Sequence, residues 1–315
     1  MFHPSLIDPI IALPSVQRRL DASASALMRP PSGPQVDFTR PEGEAALVPP
    51  DSVSWRVFKN PLSLFIGGVA AVILELAEPA VRTGVWEHSS FRSDPVTRLQ
   101  RTGLAAMMTV YGPRSQAEAT IAGVVRRHAA VSGATPDGEA YQANDPVLLT
   151  WVQATASYGF CEAYHRYAHR LSQAKRDRFY AEAAPSALLY GAVAPPADET
   201  ALYALFDTMR PRLEASPILF EFLDIIRAAP AFPAVLRPLQ RMLVRAAVDL
   251  VPGWVRDRVG LGPEHGLRPG QATLLKSAVR LSDRLILPSS AAVQSSRRMA
   301  LPADYLFRRP VIAGA

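Results

Sequence analysis

Along most of this chain apolar residues recur three and four positions apart, the period of helices, and no useful stretch shows the two-residue alternation of strands. The clearest case is Asp94 to Gly133, which reads as two consecutive helices. Asp94 is placed to cap the first, with Pro95 at its first position, and Val96, Leu99, Gly103, Ala106 and Val110 form its apolar stripe until Gly112-Pro113 stops it. Arg98, Arg101 and Thr102 share one face of that helix. The second helix opens near Ser115, and His128 falls seven, four and three positions after Ile121, Val124 and Val125, which turns the imidazole inward. A histidine in an apolar wall is a core residue satisfied by a carbonyl, a catalytic base, or a ligand to a metal or haem iron, and spacing leaves all three open.

Other segments follow the same logic. Pro61 to Leu74 is almost wholly apolar, but Glu75 and Glu78 arrive before the roughly 20 residues a membrane span needs, so a buried core helix is expected. Gly67-Gly68 within it predicts close approach of another helix or of a flat cofactor. Ala80 to Phe91, with His88, reads as a connection, and the tract around Pro136-Asp137-Gly138 as a turn. Asp145-Pro146 opens a helix to about Leu171 whose inward stripe is Val147, Trp151, Ala154, Tyr158, Cys161 and Ala168. His165 and His169 stand four apart on it, among arginines and without an intervening acid, which fits a solvated face better than a metal pair. Further helices are expected at 173–189, 198–216, 217–228, 234–251 and 269–285. The pattern therefore predicts an all-α protein, a single large helical domain of about ten helices. An irregular N-terminal arm spans 1–54, with one short helix at Ser15 to Met28; the domain spans 55–290 and a tail 291–315.

Composition narrows the function classes. Of 315 residues, 49% are hydrophobic and 20% charged, enough for a sizeable core. The net charge of +6 comes mostly from arginines, but these are scattered without interleaved aromatics, so nucleic acid is not expected as a partner. The single Cys161 excludes an internal disulfide and any multi-cysteine metal site. With no secretory signal pattern and no transmembrane segment in view, a cytoplasmic location is expected. Dinucleotide, P-loop and hydrolase motifs are missing, as is any fixed repeat.

Five separated blocks carry a resemblance: GVWEHSSFRSDPVTRLQRT, VVRRHAAVSG, YQANDPVLLTWVQAT, AYHRYAHRLSQAKRDRFYAE and VPGWVRDRVGLG. In this order they resemble the DUF2236 family, which includes the MpaB oxygenases and is related to the latex-clearing rubber oxygenases. The likeness spans roughly residues 55 to 262. It implies an all-helical protein with haem b that uses dioxygen to cleave carbon–carbon double bonds in a lipophilic, isoprenoid-like substrate. The histidine of the H-x-x-V-x-G block, the proximal iron ligand in the family, is His128 here. Arg98, Arg101 and Thr102 match an R-x-x-K-T block that lies near the haem propionates and distal face. Arginine at 101 replaces a lysine and cannot be a neutral iron ligand, so a propionate or oxygen contact is implied for it. The rubber oxygenases use a glutamate to remove a substrate proton, a role that would fall to Glu78 or Glu75. Glu78 and Gln153 stand where many members have histidine. The alternative is a non-catalytic haem-binding or helical interaction protein of the same family; a homodimer is compatible with either.

Overall fold

The computed structural model describes residues 36–308 and Asp21. It is predominantly all-α: 66% helical, with thirteen α-helices and one two-stranded hairpin among the described residues. Helix starts are set by local chemistry. Asn60, Glu78, Asp94, Asp145 and Ser216 each accept a hydrogen bond from a first-turn amide, and each is followed by proline at the first helical position. They open α2 (Pro61–Leu76), α3 (Pro79–His88), α4 (Pro95–Tyr111), α6 (Pro146–Ala163) and α9 (Pro217–Ala228). The others are α1 (Val53–Phe58), α5 (Arg114–His128), α7 (Gln173–Tyr190), α8 (Glu199–Met209), α10 (Arg237–Leu250), α11 (Gly253–Val259), α12 (Gln271–Ser282) and α13 (Ala291–Arg298).

The apolar helix α2 is the axis of the core. Its long buried run packs along α6 and α10, while α4 hardly touches it. Where α2 crosses α6 the backbones meet at Gly67 and Gly159: a methyl group on Gly67 would stand 2.6 Å from the Gly159 carbonyl oxygen. Any side chain there would have to push two helices apart. So Gly67 serves helix packing.

Several expectations change. The segment after Pro79, expected as a connection, is helix α3, because Glu78 caps it as well as any aspartate would. The helix from Pro146 stops at Ala163 and continues as a π-helical turn, Tyr164–Ala168, instead of running to Leu171. A short antiparallel hairpin pairs β1 (Ser132–Ala134) with β2 (Ala140–Gln142) around the expected turn, where Gly138 has φ +86°. The expected tail contains α13, whose Arg298 guanidinium is buried and donates to the carbonyls of Phe38, Glu44 and Tyr111. That arginine straps residues 38–48 of the expected arm onto the domain. The helix expected over Ser15 to Met28 lies outside the described residues apart from Asp21, whose carboxylate accepts from the Ser289 amide and hydroxyl.

Candidate functional site

Helices α4 and α5 form a hairpin folded at Gly112-Pro113, so residues equally far from the fold meet. Arg98, near the start of α4, is thereby brought to His128, the last residue of α5. The end at the fold is packed hard, with Met107 to Tyr111 all buried. The opposite end stands off: Arg98, Leu99, Gly103 and Ala106 are half-buried, and so are Val124, Val125 and His128. Across from it, α2 has a matching stripe. Beyond its first two residues, α2 is half-buried only at Phe65, Gly68 and Glu75, and Val72 lies between them, at the i, i+3, i+7, i+10 spacing of one face. Phe160 of α6 is half-buried beside Gly68. We read these two half-buried stripes, coupled through Glu75 and Arg98, as the apolar walls of one gap between α2 and the α4–α5 hairpin.

Its polar groups are few and electrostatically joined. Glu75 keeps reachable surface, yet its carboxyl is dehydrated and pushed up to about 7, with the Arg98 guanidinium pulling the other way. Burial likewise pulls Arg98 down, with Glu75 holding it up. His128 is pushed below the usual histidine range, first by burial and then by the positive charges of Arg127 and Arg98, so its imidazole is neutral at pH 7. Its Nδ1 is buried and has no hydrogen-bond partner among the described residues. Arg98 also stacks its guanidinium over Phe91, 4.7 Å from the ring centroid, and donates to the Thr102 hydroxyl.

Of the residues singled out from sequence, Arg98 and His128 therefore come within electrostatic reach, Glu75 joins them through Arg98, and Thr102, exposed on α4, is tied to Arg98. Arg101 is exposed on α4. Glu78 lies elsewhere: it is 1% exposed, accepts from the Val81 amide at 2.8 Å, and is ion-paired to Arg212 at 2.7 Å. Both carboxylate oxygens are engaged, one in capping α3 and the other in the ion pair with Arg212, so Glu78 serves structure. Gln153 lines a separate crevice between α6 and α7, with Ser157 and Tyr180. Trp151 and Tyr158, expected on the inward stripe of their helix, are buried and pack on Phe206 of α8. His165 accepts from the Leu171 amide and His169 meets the buried Asp283, so the pair diverges. His88 is exposed, as expected. Arg127, Phe65 and Phe160 were not picked out in the sequence; the 65-68-72-75 spacing inside the apolar run is the signal for the α2 wall.

A neutral imidazole, one cation and one carboxyl that titrates near neutrality face a gap lined by apolar side chains. Among the described residues no three histidine, cysteine or acidic groups cluster as metal ligands. The chain belongs to the family described as ER-bound oxygenase mpaB/B'/Rubber oxygenase, catalytic domain, which matches residues 55–282. Searches of curated proteins and of solved structures give no match.

Proposed function

We propose that this protein is a haem b-dependent oxygenase acting with dioxygen on a lipophilic, isoprenoid-like substrate. The observation that carries the reading is His128: a neutral imidazole on an apolar wall, its Nδ1 buried and its ring beside a cation. Such a ring has a lone pair to offer iron, which a protonated one does not. The residues present fit the group. His128 would hold the iron, Arg98 with Thr102 and Arg127 would face the anionic propionates, and Phe65, Gly68, Leu99 and Phe160 would flank the flat ring. When bound, haem supplies a redox-active iron that can activate dioxygen.

The chain's own residues do the rest. The apolar walls exclude water and favour an unsaturated hydrocarbon over a polar substrate. Glu75, with its carboxyl near neutrality, is the group in the gap that can take a proton from the substrate and return it, and Arg98 sets how readily. Glu78, engaged as described, is not given that role. Arg101 is proposed only for the outer edge, where it can meet a propionate.

Protein produced with ample haem should show a Soret band, and His128→Ala should lose it or shift its ligation spectrum. An unchanged spectrum in His128→Ala removes the assignment. Supplied with a reductant and unsaturated terpenoid chains under labelled oxygen, the loaded protein should place label in the product.

A further inference from the structure

Next to the mouth of the gap the surface changes character. Val147 at the start of α6, Leu188 and Leu189 in the last turn of α7, and Val193 just beyond it are among the large apolar side chains left exposed, with Leu188 at 56% and Val193 at 52%. They belong to one end of the molecule. The Thr150 hydroxyl donates to the Val193 carbonyl and accepts from its amide, at 2.8 and 2.9 Å, and Thr150 lies one turn from Val147 on α6. Gly191 closes α7 in the left-handed region and lets Ala192 turn inward against Leu149 and Ala187. Val193 is then presented outward, and the next residue, Ala194, is held at φ +47°, a region a side chain normally avoids. A loop that accepts backbone strain while displaying a valine to water is stable only if something else fixes it, and here the two Thr150 bonds do so.

The neighbouring charge is positive. Arg126 and Arg127 end α5 and are exposed, and the Asn144 side-chain amide donates to the Val125 carbonyl at 3.1 Å, which holds that end of α5 beside the start of α6. Of the acids near this end, Asp145 is turned back onto the Val147 and Leu148 amides and Glu139 faces Arg212. We propose that this surface docks the protein on an anionic lipid bilayer, the apolar tips entering the headgroup boundary and the two arginines facing lipid phosphates. An apolar tip rimmed by cations matches that boundary in both polarity and charge. Among the described residues no single helix is long and apolar enough to cross a membrane, so the contact proposed is peripheral.

The test is co-sedimentation of the full chain with phosphatidylcholine vesicles, with and without phosphatidylglycerol, over a range of salt. Binding should need the anionic lipid and weaken as salt rises. Leu188→Ser with Val193→Ser should lower the affinity by at least about tenfold, and Arg126→Gln or Arg127→Gln by about fivefold each, the arginine variants with a shallower salt dependence. Because all four positions are exposed, thermal unfolding should match the wild type. The proposal is overturned if the protein ignores anionic vesicles at low salt, or if the Leu188/Val193 variant binds like the wild type. It is equally overturned if light scattering shows a dimer that this variant dissociates, since the patch then covers a second copy. Vesicle binding requires no haem, so this result and the Soret result fail independently.

Discussion

Two polar regions flank α2 and are built on opposite plans. At its start, Lys59, Asn60 and His169 converge on Asp283 in a closed knot, with the Ser282 hydroxyl donating to Asn60. The Lys59 ammonium lies 2.9 Å from the Asp283 carboxylate, Asn60 donates to the other oxygen at 3.2 Å, and His169 completes the set at 3.1 Å. Burial alone would raise the Asp283 carboxyl, but the His169 and Lys59 contacts outweigh it and hold the group below the usual carboxylate range. At the other end, Glu75, Arg98 and His128 sense one another across the gap without closing hydrogen bonds among themselves, and Glu75 is left near neutrality. The difference is instructive. Where polar groups only hold helices together, every lone pair is used; where chemistry is proposed, groups are dehydrated and left open to a third party.

Breaking the knot should have the largest effect. Asp283→Ala strands the Lys59 ammonium in the core and should remove about 3–5 kcal/mol of stability, read as a fall in the urea midpoint. Glu75→Gln should cost under about 1 kcal/mol at neutral pH, because it replaces a dehydrated carboxyl that has no bonded partner. Equal losses in the two variants would end the contrast. The pH profile sharpens it further. The Glu75 carboxyl is raised from 4.5 to about 7, so its contribution is present at low pH and lost as pH climbs through that window. Unfolding followed from pH 4 to 8 should therefore show a decline on the alkaline side that Glu75→Gln flattens. The smallest effect belongs to His128. Its value is depressed below 6.5, so its contribution is present above 6.5 and lost as pH falls below it. In haem-free protein, His128→Gln should reduce that acid-side loss slightly; an unchanged profile would mean the imidazole is not dehydrated.

Much of the fold was legible because helix starts are local events. Asp94-Pro95, Asp145-Pro146 and Ser216-Pro217 announce their helices, and the structure begins all three there. Glu78-Pro79 carries the same signal, but the polar residues after it resemble a connection and mask the helix. The π-turn at Tyr164–Ala168 and the burial of Arg298 depend on partners more than 100 positions away, and no window of sequence holds that information. The site divides in the same way. Arg98 and His128 could be paired from the fold at Gly112-Pro113. Choosing between Glu75 and Glu78 could not be done from sequence, since it turns on α2 ending at Leu76 and leaving one glutamate on its inner stripe and the other beyond its end.

The glycine seam between α2 and α6 has a mechanical consequence. Two backbones in contact cannot be compressed, and sliding one past the other would drive neighbouring side chains into the facing main chain. That wall of the gap is a fixed anvil. Any breathing that admits a bulky guest must come from the opposite side, where the α4–α5 hairpin is fastened at its packed end near Tyr111 and loosest at the end bearing Arg98 and His128. The hairpin is a lever pivoted at its own fold, and the residues proposed to meet the guest ride on the arm that travels farthest.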